Sequence, residues 1–132
     1  MSEEHTATVE AIYEGYASGD FRSPARFFDP HVVFVLSRGF PDAGTYVGAE
    51  EIAQYTRDFL EPWQRVTIEA EDITAIGDSV LAAVHQRGTG ETSGAGTEMR
   101  YFMLWSFRGG KVIRVENYRD RSEALKAAGI SE

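Results

Sequence analysis

The residues of this chain that could carry chemistry are few and scattered. His85, in Ala83-Val84-His85-Gln86-Arg87, falls within a predicted β-hairpin and is of the type a general base requires. His5 and His31 lie apart from it, and no two histidines have metal-ligand spacing, so no zinc site is expected. The absence of cysteine removes disulfides, thiolate catalysis and thiolate metal sites together. Arg87 and Arg100 could hold a carboxylate, although pairing with surface Glu or Asp is the plainer role. Tyr16 stands one helical turn after Ile12 and offers a phenol, or else a core aromatic whose hydroxyl bonds a nearby carbonyl. Tyr101, Met103 and Trp105 alternate, so a strand puts them on one face, where they fill a core as readily as they line a pocket. The run Gly88 to Gly96 is glycine-rich but joins two strands and opens no helix. It reads as a hairpin loop rather than a phosphate cradle.

These residues need elements to position them. Val9, Ile12, Tyr13 and Tyr16 have helical spacing within residues 3–18, and Gly19 is a natural stop. Ser23-Pro24 predicts the cap and first position of a short helix ending at Asp29-Pro30. His31 to Leu36 is β-branched and aromatic and predicts a strand. Arg38 to Val47 is read as a loop. A third helix carries Ile52, Tyr55, Phe59 and Leu60 on one face and ends at Pro62. Strand-like runs follow at 64–76, 79–88, 97–107 and 111–119, with Gly77-Asp78 and Gly109-Gly110 as hairpin turns. Ser122 can cap a last short helix before Gly129. Strands that cluster late point to an α+β domain. In 64–76 the alternation slips near Glu71-Asp72. A β-bulge there returns Val66, Ile68, Ala70 and Ile73 to one face and bends the sheet.

Composition limits the partners. The 132 residues suit one domain, 1–132, and 42% hydrophobic content supports one core and one pocket. With 13 basic and 21 acidic residues, net −8, neither nucleic acid nor an anionic membrane is an expected partner. No run approaches a membrane span, and Glu3, Glu4 and His5 stand where a signal peptide would be apolar. A cytoplasmic location is the expectation, with no cofactor implied.

Several signatures carry a resemblance: Ile12-Tyr13-Glu14-Gly15-Tyr16-Ala17-Ser18-Gly19-Asp20, Phe28-Asp29-Pro30-His31-Val32, Pro41-Asp42-Ala43-Gly44-Thr45-Tyr46-Val47-Gly48, Trp105-Ser106-Phe107-Arg108-Gly109-Gly110-Lys111-Val112, and the tail Glu123 to Gly129. In these, and in element order, the chain resembles the SnoaL-like branch of the NTF2-like superfamily. The resemblance implies a cone: a strongly bent antiparallel sheet, about three helices on its concave face, a short C-terminal helix, and a pocket between helices and sheet. It is weak for function, because this scaffold hosts many chemistries. One is ketosteroid isomerisation, which needs an Asp base and an oxyanion hole of a Tyr and a protonated Asp. By the resemblance those positions fall on Val35, Ile12 and Met103, all apolar, so isomerase activity is not expected.

Cyclases of this branch use a pocket carboxylate, which turns attention to Glu116 and Asp120 on the last strand. A two-residue turn at Gly109-Gly110 puts Glu116 opposite Met103 on the pocket face. A three-residue turn puts Val115 there, turns Glu116 outward and brings Asn117 inward. The second is preferred, because it pairs Ile113 and Val115 with Trp105 and Met103. The bulge at Glu71-Asp72 places Gln86 inward and His85 outward. The expected pocket residues are then Tyr16, Val35, Tyr101, Met103, Trp105 and Asn117, with Phe59 and Trp63 closing the wide end. Phe102, Leu104, Val112 and Tyr118 are left as an apolar patch on the convex face. A homodimer is expected there, with Phe102, Leu104 and Tyr118 near its centre and Arg114 and Glu116 pairing across the axis. Two functions follow: a small-molecule protein with an apolar pocket, extending to isomerase- or cyclase-type chemistry, or a non-catalytic homodimer with a vestigial pocket.

Overall fold

Helical spacing at the N-terminus is realised as α1 (Ser2–Ala17), which buries Val9, Ile12 and Tyr13. The computed structural model describes residues 2–90 and 96–129, so the middle of the glycine-rich run, expected to be a hairpin loop, lies outside the described residues. After α1, a 3-10 turn spans Ser23–Phe27 with Pro24 near its start. Its cap is not Ser23. The Asp20 carboxylate accepts from the backbone N–H groups of Arg22 (3.1 Å) and Ser23 (2.9 Å). These bonds hold that carboxyl below its ordinary pKa of 3.8.

The strand β1 (Phe28–Leu36) begins before the apolar run that announced it. An edge strand β2 (Gly44–Val47) lies in the stretch read as a loop, where Gly and Pro nearby masked four extended residues. Then come α2 (Gly48–Leu60), β3 (Trp63–Ile76), β4 (Ser79–Gly90), β5 (Gly96–Arg108), β6 (Lys111–Tyr118) and α3 (Arg121–Ala127). The sheet order is β2-β1-β6-β5-β4-β3. Every pairing is antiparallel except β1 with β6, which run parallel. The sheet is therefore mixed, because the chain places its first strand beside its last.

Two irregularities decide which side chains face inward. On β3, Ala70 pairs with Val84 and Asp72 with Ala83, leaving Glu71 as the extra residue of a bulge. Val66, Ile68, Ala70 and Ile73 consequently all pack on the main core. On β6, Gly109-Gly110 make a two-residue turn, and pairing slips between Phe107–Val112 and Ser106–Arg114. Asn117 then lies opposite Met103, Val115 opposite Trp105, and Glu116 opposite Leu104. This is neither expected register. Inward and outward faces match the preferred one beyond the slip, but the partners are displaced by two residues. Val112, before the slip, is buried in the main core and does not join the outer face.

That main core lies between α1 and the inner face of the sheet. A smaller one, on the other face, joins Leu81 and Leu104 to Ala124 and Leu125 of α3. Leu104 is thus fully covered by its own chain and is unavailable at the centre of an outer-face interface. Phe102 and Tyr118 remain half-buried beside it. No helix among the described residues is long and apolar enough to cross a membrane.

Candidate functional site

The helix α2 is amphipathic, yet none of its residues is fully buried. An apolar helix face normally finds a packed core. Here Ile52, Tyr55, Phe59 and Leu60 are only partly packed against the core and also line a cavity of about 910 Å³. Ligand sites are typically about 300–1,000 Å³, so this is a full-sized site.

The floor comes from the inner faces of the strands. Tyr101, Met103 and Trp105 line it from β5, Val115 and Asn117 from β6, and Gln86 and Ile68 from the far side. Tyr16 reaches it from the end of α1, and Phe59 and Trp63 close it where α2 runs into β3. The structure thus brings seven of the eight expected pocket residues to one cavity. Val35 is the exception. In the parallel register it sits beside outward Glu116, while Phe34 sits beside Val115 and Leu36 beside Asn117. Phe34 and Leu36 therefore take the wall positions, and the parity assumed for β1 is corrected by one residue. Ile12 is buried in the core behind the cavity and is not part of its wall. Phe34 and Leu36, which face inward in place of Val35, are apolar too, and Met103 keeps its place on the floor.

Other wall residues carried little or no signal in the sequence. Phe40, from the connection after β1, packs edge-on to Tyr101 with ring centroids 5.4 Å apart. Its loop is held because Arg119 Nη1 donates to Gly39 O (3.0 Å) and Ser37 N–H donates to Asn117 O (3.1 Å). Tyr55, on the predicted face of α2, packs against Tyr46 and Phe34 at 4.6 and 5.5 Å. Trp63 lies against Gly88, where a Cβ would come within 2.9 Å of its ring, so glycine is required for that approach.

The polar groups inside are neutral. Tyr101 Oη donates to Gln86 Oε1 (2.8 Å). Behind the floor, Trp105 Nε1 donates to Tyr13 Oη (3.1 Å), which donates to Met103 Sδ (3.0 Å). Burial pushes the phenols of Tyr13, Tyr16 and Tyr101 well above their usual pKa of 10, so they are donors and not bases. The charged wall residues, Arg22, Asp42, Arg57 and Asp58, are all exposed at the rim. Among the described residues no imidazole lines the cavity and no buried carboxylate does; His5 is buried apart from it, stacked on Phe107.

The remaining candidates lie outside the cavity. His85 Nε2 pairs with Glu98 Oε2 (2.7 Å) on the outer face. Arg87 pairs with Glu69 and Arg100 Nε with Glu71 (3.0 Å). Glu116 accepts from Tyr118 Oη (2.6 Å) and lies 3.4 Å from Arg114. Asp120 holds the cap position of α3, which Ser122 was expected to fill. No cluster of metal-ligating side chains occurs among the described residues.

This architecture has many solved counterparts. An NTF2-like protein from Burkholderia thailandensis is 26% identical, with TM-score 0.76 over 91% of this chain and 95% of that one. A protein of Jannaschia sp. CCS1, assigned as a SnoaL-like polyketide cyclase, is 16% identical, with TM-score 0.77 over 99% and 95%. TerC, co-crystallised with polyporic acid, is 18% identical, with TM-score 0.76 over 96% and 98%. No curated protein matches by sequence. The family model for the SnoaL-like domain matches residues 9–115, from the core face of α1 through the cavity floor to Val115, and the chain belongs to that family.

Proposed function

We propose that this chain is a small-molecule-binding protein whose cavity takes a largely apolar, uncharged organic ligand. The observation that carries the reading is the apolar face of α2, only partly packed against the core and lining a cavity of about 910 Å³. The aromatic wall supplies apolar contact, and its few neutral donors supply orientation. Two relatives of the same fold support a small organic ligand: one was co-crystallised with polyporic acid and the other is assigned as a polyketide cyclase. Without an imidazole or a buried carboxylate on the described cavity wall, binding is better supported than proton abstraction. A vestigial pocket is disfavoured by the cavity's size.

Both tryptophans of the chain, Trp63 and Trp105, stand on the wall and report on occupancy. Titration with a panel of neutral polycyclic aromatics and ketones should give saturable quenching and a rise in melting temperature. A panel that changes neither fluorescence nor Tm at ligand concentrations to the solubility limit would refute the reading.

A further inference from the structure

Asn117 is an anomaly in the cavity floor. It is 5% exposed, and no protein group among the described residues donates to its Oδ1. Its strand neighbours, Met103 across β5 and Leu36 across β1, are apolar and lie on the same inner face. The main chain gains nothing from the amide, because the bond to Ser37 uses the backbone carbonyl of Asn117 and any residue could supply it. A buried polar atom left unpaired is destabilising, whereas an apolar side chain of the same shape would remove that cost. Asn117 is among the residues that line the cavity, so a turn of its buried amide toward the cavity would let an occupant supply the missing partner.

We infer that Asn117 is the polar anchor of the site and selects ligands that carry a neutral hydroxyl at their buried end. The inference deepens the small-molecule reading and rests on it. A charged group is excluded because the rim residues Arg22, Asp42, Arg57 and Asp58 are exposed and the floor holds no counter-charge. A hydroxyl both donates and accepts, so it satisfies either end of the amide. Tyr101 has already given its proton to Gln86 and can only accept, whereas the amide of Asn117 can meet a hydroxyl as donor or as acceptor. The ligand is therefore an apolar frame bearing an alcohol or phenol that points at β6.

A matched pair of probes tests this by calorimetry: fluorene and 2-hydroxyfluorene. Wild type should prefer the hydroxylated probe, and Asn117→Leu should shrink that preference about tenfold while still binding fluorene. The apo variant should melt at or above the wild-type temperature, by up to about 5 °C, because an unpaired buried amide has been removed. Asn117→Ala, which adds no atoms, reads the same ratio where leucine is too bulky. An unchanged ratio with fluorene still bound overturns the anchor and leaves the small-molecule reading standing. Lower melting temperatures in both variants show that the amide serves the fold, and also overturn it. Failure of wild type to bind either probe in a panel-positive protein overturns the hydroxyl assignment. The same failure in a panel-negative protein sinks both readings.

Discussion

Tyr13 and Trp105 meet edge to face, 5.7 Å between ring centroids, and the indole N–H donates to the phenol oxygen at 3.1 Å. The contact ties α1 to the strand that makes the cavity floor. Trp105 is fully buried, so its N–H has no recourse to water. The same phenol donates to Met103 Sδ and so orients a second floor residue. The pocket is shaped from behind by a residue that does not line it.

Tyr13→Phe should therefore be costly for so small a change. It leaves a buried indole N–H unpaired, which costs about 1–3 kcal/mol. Urea unfolding should show the loss, with little change in the slope against denaturant. A loss below about 0.5 kcal/mol would mean that the hydrogen bond is not structural.

The helix α2 should be the least protected regular element of the pocket. Its apolar face borders the cavity and none of its residues is fully buried, while Met103 and Trp105 of β5 are buried. Hydrogen exchange should give faster exchange in 48–60 than in 101–105, and a bound ligand should slow the former selectively. Uniform slowing across both segments would argue against a roof supported by its ligand.

The pH profile should be flat in the middle and fall at both ends. Burial raises the phenols of Tyr13, Tyr16 and Tyr101, so their contribution is complete below pH 10 and is lost as pH rises beyond it. At the acid end, hydrogen bonds from Arg100 to Glu71 and between His85 and Glu98 hold both carboxyls below their usual 4.5. Their contribution is present above pH 4.5 and disappears as pH falls through the lowered values. Glu98→Gln should flatten that acid limb, and 1 M salt should do the same because the pairs are exposed. An acid limb unchanged by either would remove the outer-face pairs from the account.

Assembly through the outer face remains the expectation, with altered membership. Leu104 is covered by α3, but Phe102 and Tyr118 stay half-buried, and Val33 and Val35 face outward beside Val47, which is 51% exposed. A two-fold partner over these residues would cover them. Light scattering at micromolar concentration should give about twice the chain mass of 14.7 kDa. Phe102→Glu should return it to monomer. A wild-type monomer would defeat the proposal.

The sequence by itself determined what local spacing and turn chemistry can determine. The helical repeat from Val9 to Tyr16, the amphipathic face of α2, the hairpin glycines and the slip at Glu71 each have a signature a few residues long, and each stands in the structure. The alternation of Tyr101, Met103 and Trp105 likewise carried through to the cavity floor.

Only the tertiary structure decided which side of β1 and of the start of β6 faces the cavity. A strand's two faces differ by one residue of register. For β1 that register comes from pairing in parallel with β6, some eighty residues away, and it turns Phe34 and Leu36 inward and Val35 outward. For β6 it comes from an irregularity near Ile113 that no turn residue announces, which buries Val112 and sets Asn117 opposite Met103. The fate of Leu104 depended on where α3 folds back, since an apolar residue on an outer face reads the same whether a helix of its own chain or a second copy covers it. The cavity itself, and the unpaired amide in its floor, exist only once α2 and the strands β1, β5 and β6 are brought together, an arrangement no local pattern encodes.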